Sequence, residues 1–110
     1  MISKELLSEI MDDKVKSIRI MNNTIFIYFE NNNQEYFIDI YELTHKCKAW
    51  ALSQGYYFEL NICLSVVHLK LWKDVGITKL FKSFKGSKEI EVYYKACQWI
   101  LENKKLKEEE

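Results

Sequence analysis

Hydrophobic positions first recur at helical spacing, then alternate, and the switch happens twice. Leu6, Leu7 and Ile10 share one side of a segment Lys4–Met11, which Ser3 can cap. Asp12 and Asp13 close it, and the period drops to two. Lys14–Met21 sets Ile18 and Ile20 on one face of a strand. Thr24–Glu30 sets Ile25, Ile27 and Phe29 on one face, with Phe26 and Tyr28 opposite. Gln34–Ile38 makes a third strand. Asn22-Asn23 between the first two tolerates positive φ and marks a tight turn, and Asn31-Asn32-Asn33 marks another. The pattern predicts a three-strand meander.

The cycle then repeats. Asp39 and Glu42 have the spacing of a capping box ahead of a helix Ile40–Gln54. Its stripe is Leu43, Cys47, Trp50 and Ala51, and Gly55 stops it. Tyr56–Ser65 alternates, with Tyr56, Phe58, Leu60, Ile62 and Leu64 on one face. Val66–Lys73 continues as strand. The Ser65-Val66 junction holds no strong turn residue, so the pattern allows either a hairpin or one bent strand. Lys79–Lys85 forms a shorter strand after a loop at Gly76. Ser87 then caps a last helix with Ile90, Tyr93, Tyr94, Cys97, Ile100 and Leu101 on a broad apolar face. Residues 104–110 read as a frayed charged tail.

The expected fold is therefore α+β in the order α-βββ-α-βββ-α, with antiparallel sheets packed against two long helices. The two βββα halves form a candidate pseudo-repeat: aligning Trp50 with Trp99 also matches Lys46 with Lys95 and Leu52 with Leu101. At 110 residues, with no proline and no linker-like stretch, residues 1–110 are expected to form one domain. Residues 1–13 would carry its first helix.

Composition narrows the functional classes. The chain is 48% hydrophobic and 29% charged, which is globular rather than disordered. Lys+Arg and Asp+Glu are 16 each. A DNA mimic would need an acidic excess, and a bulk polyanion binder a basic one. Lysines do concentrate locally: Lys70, Lys73, Lys79, Lys82, Lys85 and Lys88 face Asp74 alone between residues 66 and 88. The opening segment is too polar for a secretory signal, and no apolar run approaches the ~20 residues of a membrane span. A cytoplasmic protein with reduced thiols is the expectation.

No catalytic, cofactor-binding or metal-ligating set emerges. Cys47, Cys63 and Cys97 lie far apart, without CxxC spacing. His45 and Cys47 would project about 200° apart on a helix and cannot chelate together. Cys97 faces an apolar stripe and reads as an inert core thiol, and His68 stands alone in a strand. The three glycines are isolated, so no phosphate cradle is formed.

The segments IDIYELTHKCKAWALSQGY (38–56) and SKEIEVYYKACQWILENK (87–104), with the opening MISKELLSE, resemble small phage and prophage proteins of Campylobacter-like bacteria. More loosely, the KAC.WIL ending is similar to phage α-β-α sandwich domains. The chain departs from the first group before its last helix, where Gly86-Ser87-Lys88-Glu89 replaces an acidic, proline-containing stretch. The resemblance implies a phage-type accessory protein and supplies no catalytic residues.

The remaining signal is aromatic and basic. Val67, Leu69 and Leu71 form one face of their strand, leaving His68, Lys70 and Trp72 on the other. Two arrangements stay open: both sheet faces covered, one by each long helix, or one face open to solvent. In the second, Lys70, Trp72, Lys73, Lys79, Phe81, Lys82 and Lys85 form a candidate binding surface with Trp72 as anchor. The leading expectation is non-catalytic docking onto a host or phage protein, as in an anti-CRISPR-like inhibitor of a host defence complex. Single-stranded nucleic acid is the alternative partner. A homodimer fits the abundance of aromatic rings, and no membrane or cofactor is expected.

Overall fold

The structure is a computed structural model. It describes residues 2–75 and 77–109, and the side chains of these except at 32, 33, 74, 75, 77, 78, 80, 81 and 107–109. The elements run α1 (Lys4–Met11), β1 (Val15–Met21), β2 (Thr24–Phe29), β3 (Asn32–Asp39), α2 (Ile40–Ser53), β4 (Tyr56–Cys63), β5 (Val66–Val75), β6 (Ile77–Gly86) and α3 (Glu89–Glu109). This is the α+β order that the periodicity predicts.

Each meander forms its own antiparallel sheet, ordered β1-β2-β3 and β4-β5-β6. The central strands carry the core. Counted from the hairpin turn before each, the buried positions coincide: Ile25, Ile27 and Phe29 on β2, and Val67, Leu69 and Leu71 on β5. The helices that follow match as well. Leu43, Cys47 and Ala51 are buried on α2 at the spacing of Val92, Ala96 and Ile100 on α3. The sequence pseudo-repeat thus corresponds to a repeated packing unit.

All three helices lie on the same side of the sheets. One core cluster joins Leu6 and Leu7 of α1, Ile25, Ile27 and Ile38 of the first sheet, Leu43, Cys47 and Trp50 of α2, Leu71 of the second sheet, and Cys97 and Ile100 of α3. The Cα trace measures 45 × 41 × 18 Å. Sheets and helices stack at about 10 Å between layers, so 18 Å holds two layers and not three. The arrangement in which each long helix covers a different sheet face is therefore absent, and both outer faces are open.

Capping explains most boundaries. The Ser3 hydroxyl accepts from the Leu6 amide at 3.1 Å, and Asp39 Oδ1 accepts from the Glu42 amide at 2.8 Å. Asp12 adopts φ 54° at the end of α1, and Gly55 takes φ +88° after α2, where a side chain would be strained. Several boundaries differ from expectation. β3 begins at Asn32, inside the expected Asn31-Asn32-Asn33 turn. β5 runs to Val75 and β6 from Ile77, where strands ending at Lys73 and beginning at Lys79 are expected. The expected loop residue Gly76 lies outside the described residues. Lys88, not Ser87, holds the cap position of α3, since its carbonyl accepts from the Val92 amide. The expected frayed tail is helical to Glu109. Lys104 Nζ lies 3.0 Å from Glu9 Oε1, and Lys105 pairs with Glu5, fastening α3 to α1.

Candidate functional site

Cross-strand partners lie on the same face of a sheet, so register assigns each expected surface residue to a side. Leu71 pairs with Phe58 and Lys82, and Tyr56 pairs with Lys73, which pairs with Lys79. These positions belong to the helix-bearing side. Tyr57 pairs with Trp72, Glu59 with Lys70, and His68 with Asn61 and Lys85. These belong to the open side. A register shift in β6 opposite Leu71/Trp72 makes this division, and simple alternation through Phe81 misses it.

Of the seven expected surface residues, Lys70, Trp72 and Lys85 therefore share the open face. Lys73, Lys79 and Lys82 do not join them. The Lys73 ammonium lies 5.2 Å from the centre of the Tyr56 ring, and Lys82 lies 5.6 Å from Phe84 and 5.7 Å from Trp99. Such distances give cation–π attraction. These contacts direct two of the lysines along the helix-side edge. The Phe81 side chain lies outside the described residues.

Trp72 is half-buried on the open face, and its indole Nε1 donates to Glu59 Oε2 at 3.1 Å. With Tyr57 beside it, an aromatic pair is held in place among Lys70, Lys85 and His68. Alternation in the sequence anticipates that His68, Lys70 and Trp72 share one face.

It missed the end of the β4–β5 hairpin. Cys63 pairs with Val66, leaving a two-residue turn, Leu64-Ser65, with φ of 47° and 67°. Both central residues are left-handed, the condition of a type I′ turn, which ordinarily selects Asn-Gly. A leucine there is strained by roughly 1 kcal/mol or more. Leu64 is also 92% exposed, and Ile62 beside it is 65% exposed. Burial gives no reason for leucine at this position, and conformation opposes it. The available signal in the sequence was the absence of a turn residue between two alternating strands.

Replacing Leu64-Ser65 by Asn-Gly is expected to raise unfolding stability by about 0.5–1 kcal/mol in urea titrations. An unchanged or lowered midpoint would show that the turn is not strained.

Of the cysteines, Cys47 and Cys97 are buried and Cys63 is an exposed free thiol. Cys97 Sγ contacts the Cys47 carbonyl at 3.7 Å, and its interaction with Cys47 together with burial raises the thiol pKa. His45 is exposed on α2. Among the described residues, no three His, Cys, Asp or Glu side chains are placed to hold a metal ion, and no helix is long and apolar enough to cross a membrane. A cleft of about 800 Å³ lies between α1, α3 and β6, floored by Leu6, Phe84, Tyr94 and Trp99. Glu91, Glu102, Lys82 and Lys95 offset one another in charge at its walls.

No protein-family model matches the chain, and neither a curated protein nor a solved structure is significantly similar to it.

Proposed function

We propose that this protein is a non-catalytic binding module that docks onto another protein through the open face of its second sheet and the adjoining hairpin tip. The observation that carries this reading is the Leu64-Ser65 turn: a strained backbone that presents a leucine almost wholly to solvent. Strain kept without benefit to the fold points to use elsewhere. Trp72 and Tyr57 supply a rigid aromatic anchor nearby, of the kind that dominates interface energetics. Lys70, Lys85 and His68 against Glu59 give the face a basic bias, so the partner surface is apolar at its centre and acidic at its rim. The resemblance to phage proteins adds the biological setting: an accessory factor acting by steric occlusion, of which inhibition of a host defence complex is one form.

The nucleic-acid reading relied on one continuous stripe of seven residues. Register leaves Lys70, Trp72 and Lys85 on the face, too few for the steep salt dependence that phosphate contacts produce. Binding to single-stranded RNA or DNA is expected to be absent at physiological salt.

The test uses a partner identified by affinity capture and then purified for titration. Trp72→Ala and the Asn-Gly turn variant are each expected to weaken binding by about tenfold or more. The turn variant separates function from folding, because it should be the more stable protein and the poorer binder. Wild-type affinity in both variants would refute the proposed surface.

A further inference from the structure

The first sheet has a different open face. Met21, Phe26, Tyr28 and Phe37 point away from the helices, as their cross-strand pairing requires. Phe37 is 69% exposed and Met21 53% exposed, and the Phe26 and Phe37 rings lie 6.3 Å apart. Among the described residues, no helix or loop covers them. Two charged groups on this face pair with each other: the Arg19 guanidinium sits 4.5 Å over the Phe26 ring and 3.4 Å from Glu35 Oε2. Glu35 also hydrogen-bonds the Tyr28 hydroxyl, which raises the phenol's pKa.

We propose that this face joins two copies of the chain, sheet against sheet, about a twofold axis. Two observations select a second copy rather than a foreign partner. First, the face carries an internally paired Arg19–Glu35 couple, and its other carboxylate, Asp39, is engaged at its edge with the Glu42 amide at the start of α2. Two such faces meet without like-charge repulsion, and a formal net charge of zero adds none at longer range. The lysine-biased second sheet would repel itself in the same arrangement. Second, an isologous contact requires a patch complementary to itself, and a flat sheet face bearing offset aromatic rings meets that need. The area sets the strength of the contact: three strands of six to eight residues, about 4.8 Å apart, cover roughly 300–400 Å², below the ~800 Å² per partner of a standard interface, so the dimer is a weak one that forms toward the high-micromolar end.

Stacking at about 10 Å would convert the two-layer slab into a four-layer dimer with helices outermost. With the two slabs offset so that only the first sheets overlap, the Trp72 face and the Leu64 tip stay free, so dimerisation and partner binding are separate properties.

Sedimentation equilibrium of the full chain, from low to high micromolar concentration, tests the proposal. The wild-type protein is expected to dimerise. Phe37→Glu and, independently, Met21→Arg should each weaken association by about tenfold or more. Both residues are largely exposed, so circular dichroism of the variants should match wild type. Trp72→Ala should leave association unchanged. A wild-type chain that stays monomeric throughout, a dimer indifferent to both substitutions, or one dissolved by Trp72→Ala instead would overturn it. A monomeric result leaves partner binding through the second sheet untouched, and loss of partner binding leaves the dimer untouched.

Discussion

Leu71→Ala is expected to lower unfolding stability by about 2–5 kcal/mol, the range for emptying a leucine-sized volume in a packed core. Leu71 is 0% exposed. It belongs to the second sheet yet joins the main cluster, which also holds the first sheet, α2 and α3. Loss of its side chain therefore opens space where four elements meet, and a slab with a single helix layer has little freedom to collapse into it. Domains of this size are stable by about 5–15 kcal/mol, so the loss would be a large fraction of the total. The matched control is Leu52→Ala, the same truncation at a residue 66% exposed on α2. It should change stability by no more than about 0.5 kcal/mol. Urea titrations at constant m-value measure both. Equal effects for the two substitutions would mean that the underside of the second sheet is not packed as described.

Alkaline solution should produce the second large effect. Burial pushes Tyr93 up to about 12, with Glu89 and Cys97 adding in the same direction. Its ring is packed edge-on to Phe58 at 5.2 Å and lies beneath Lys48. Tyr94 is shifted upward as well, again chiefly by burial. An unfolded tyrosine releases its proton near pH 10, whereas folded Tyr93 holds it to about 12. Above pH 10 the unfolded state therefore gains a favourable ionisation that the folded state is denied. Stability is intact below pH 10 and declines from 10 to 12, by about 2–3 kcal/mol for Tyr93 alone. Tyr93→Phe should flatten that decline, and Tyr93→Phe with Tyr94→Phe should flatten it further. Urea midpoints across this range provide the measurement. An undiminished alkaline slope in the double variant would contradict the assignment.

The fold was legible because each strand has one buried face. Ile25, Ile27 and Phe29, or Val67, Leu69 and Leu71, leave a period of two that only one secondary structure explains. Caps at Ser3 and Asp39 were legible because the side chain acts on amides two or three residues away. What alternation could not convey is which side a sheet buries when both sides carry rings. Phe26, Tyr28 and Trp72 look as buriable as Ile27 or Leu69, and only the placement of all three helices on one side decides. The β6 register shift was invisible for a related reason, since it depends on a neighbouring strand. Lys104 and Lys105 resemble a frayed end until Glu9 and Glu5, from the opposite end of the chain, are brought alongside. The Leu64 turn was hidden because local preference argues against it.

Every strand in this protein pairs with its immediate neighbour along the chain. Such wiring lets each hairpin zip without waiting for remote residues, so an emerging polypeptide can form β1–β3 while α3 is still being synthesised. Cys97 and Ile100 complete the cluster beneath that first sheet, and they arrive late. The nascent half must therefore carry a greasy, unfinished underside until the final helix docks, which is the interval in which this chain is most exposed to aggregation.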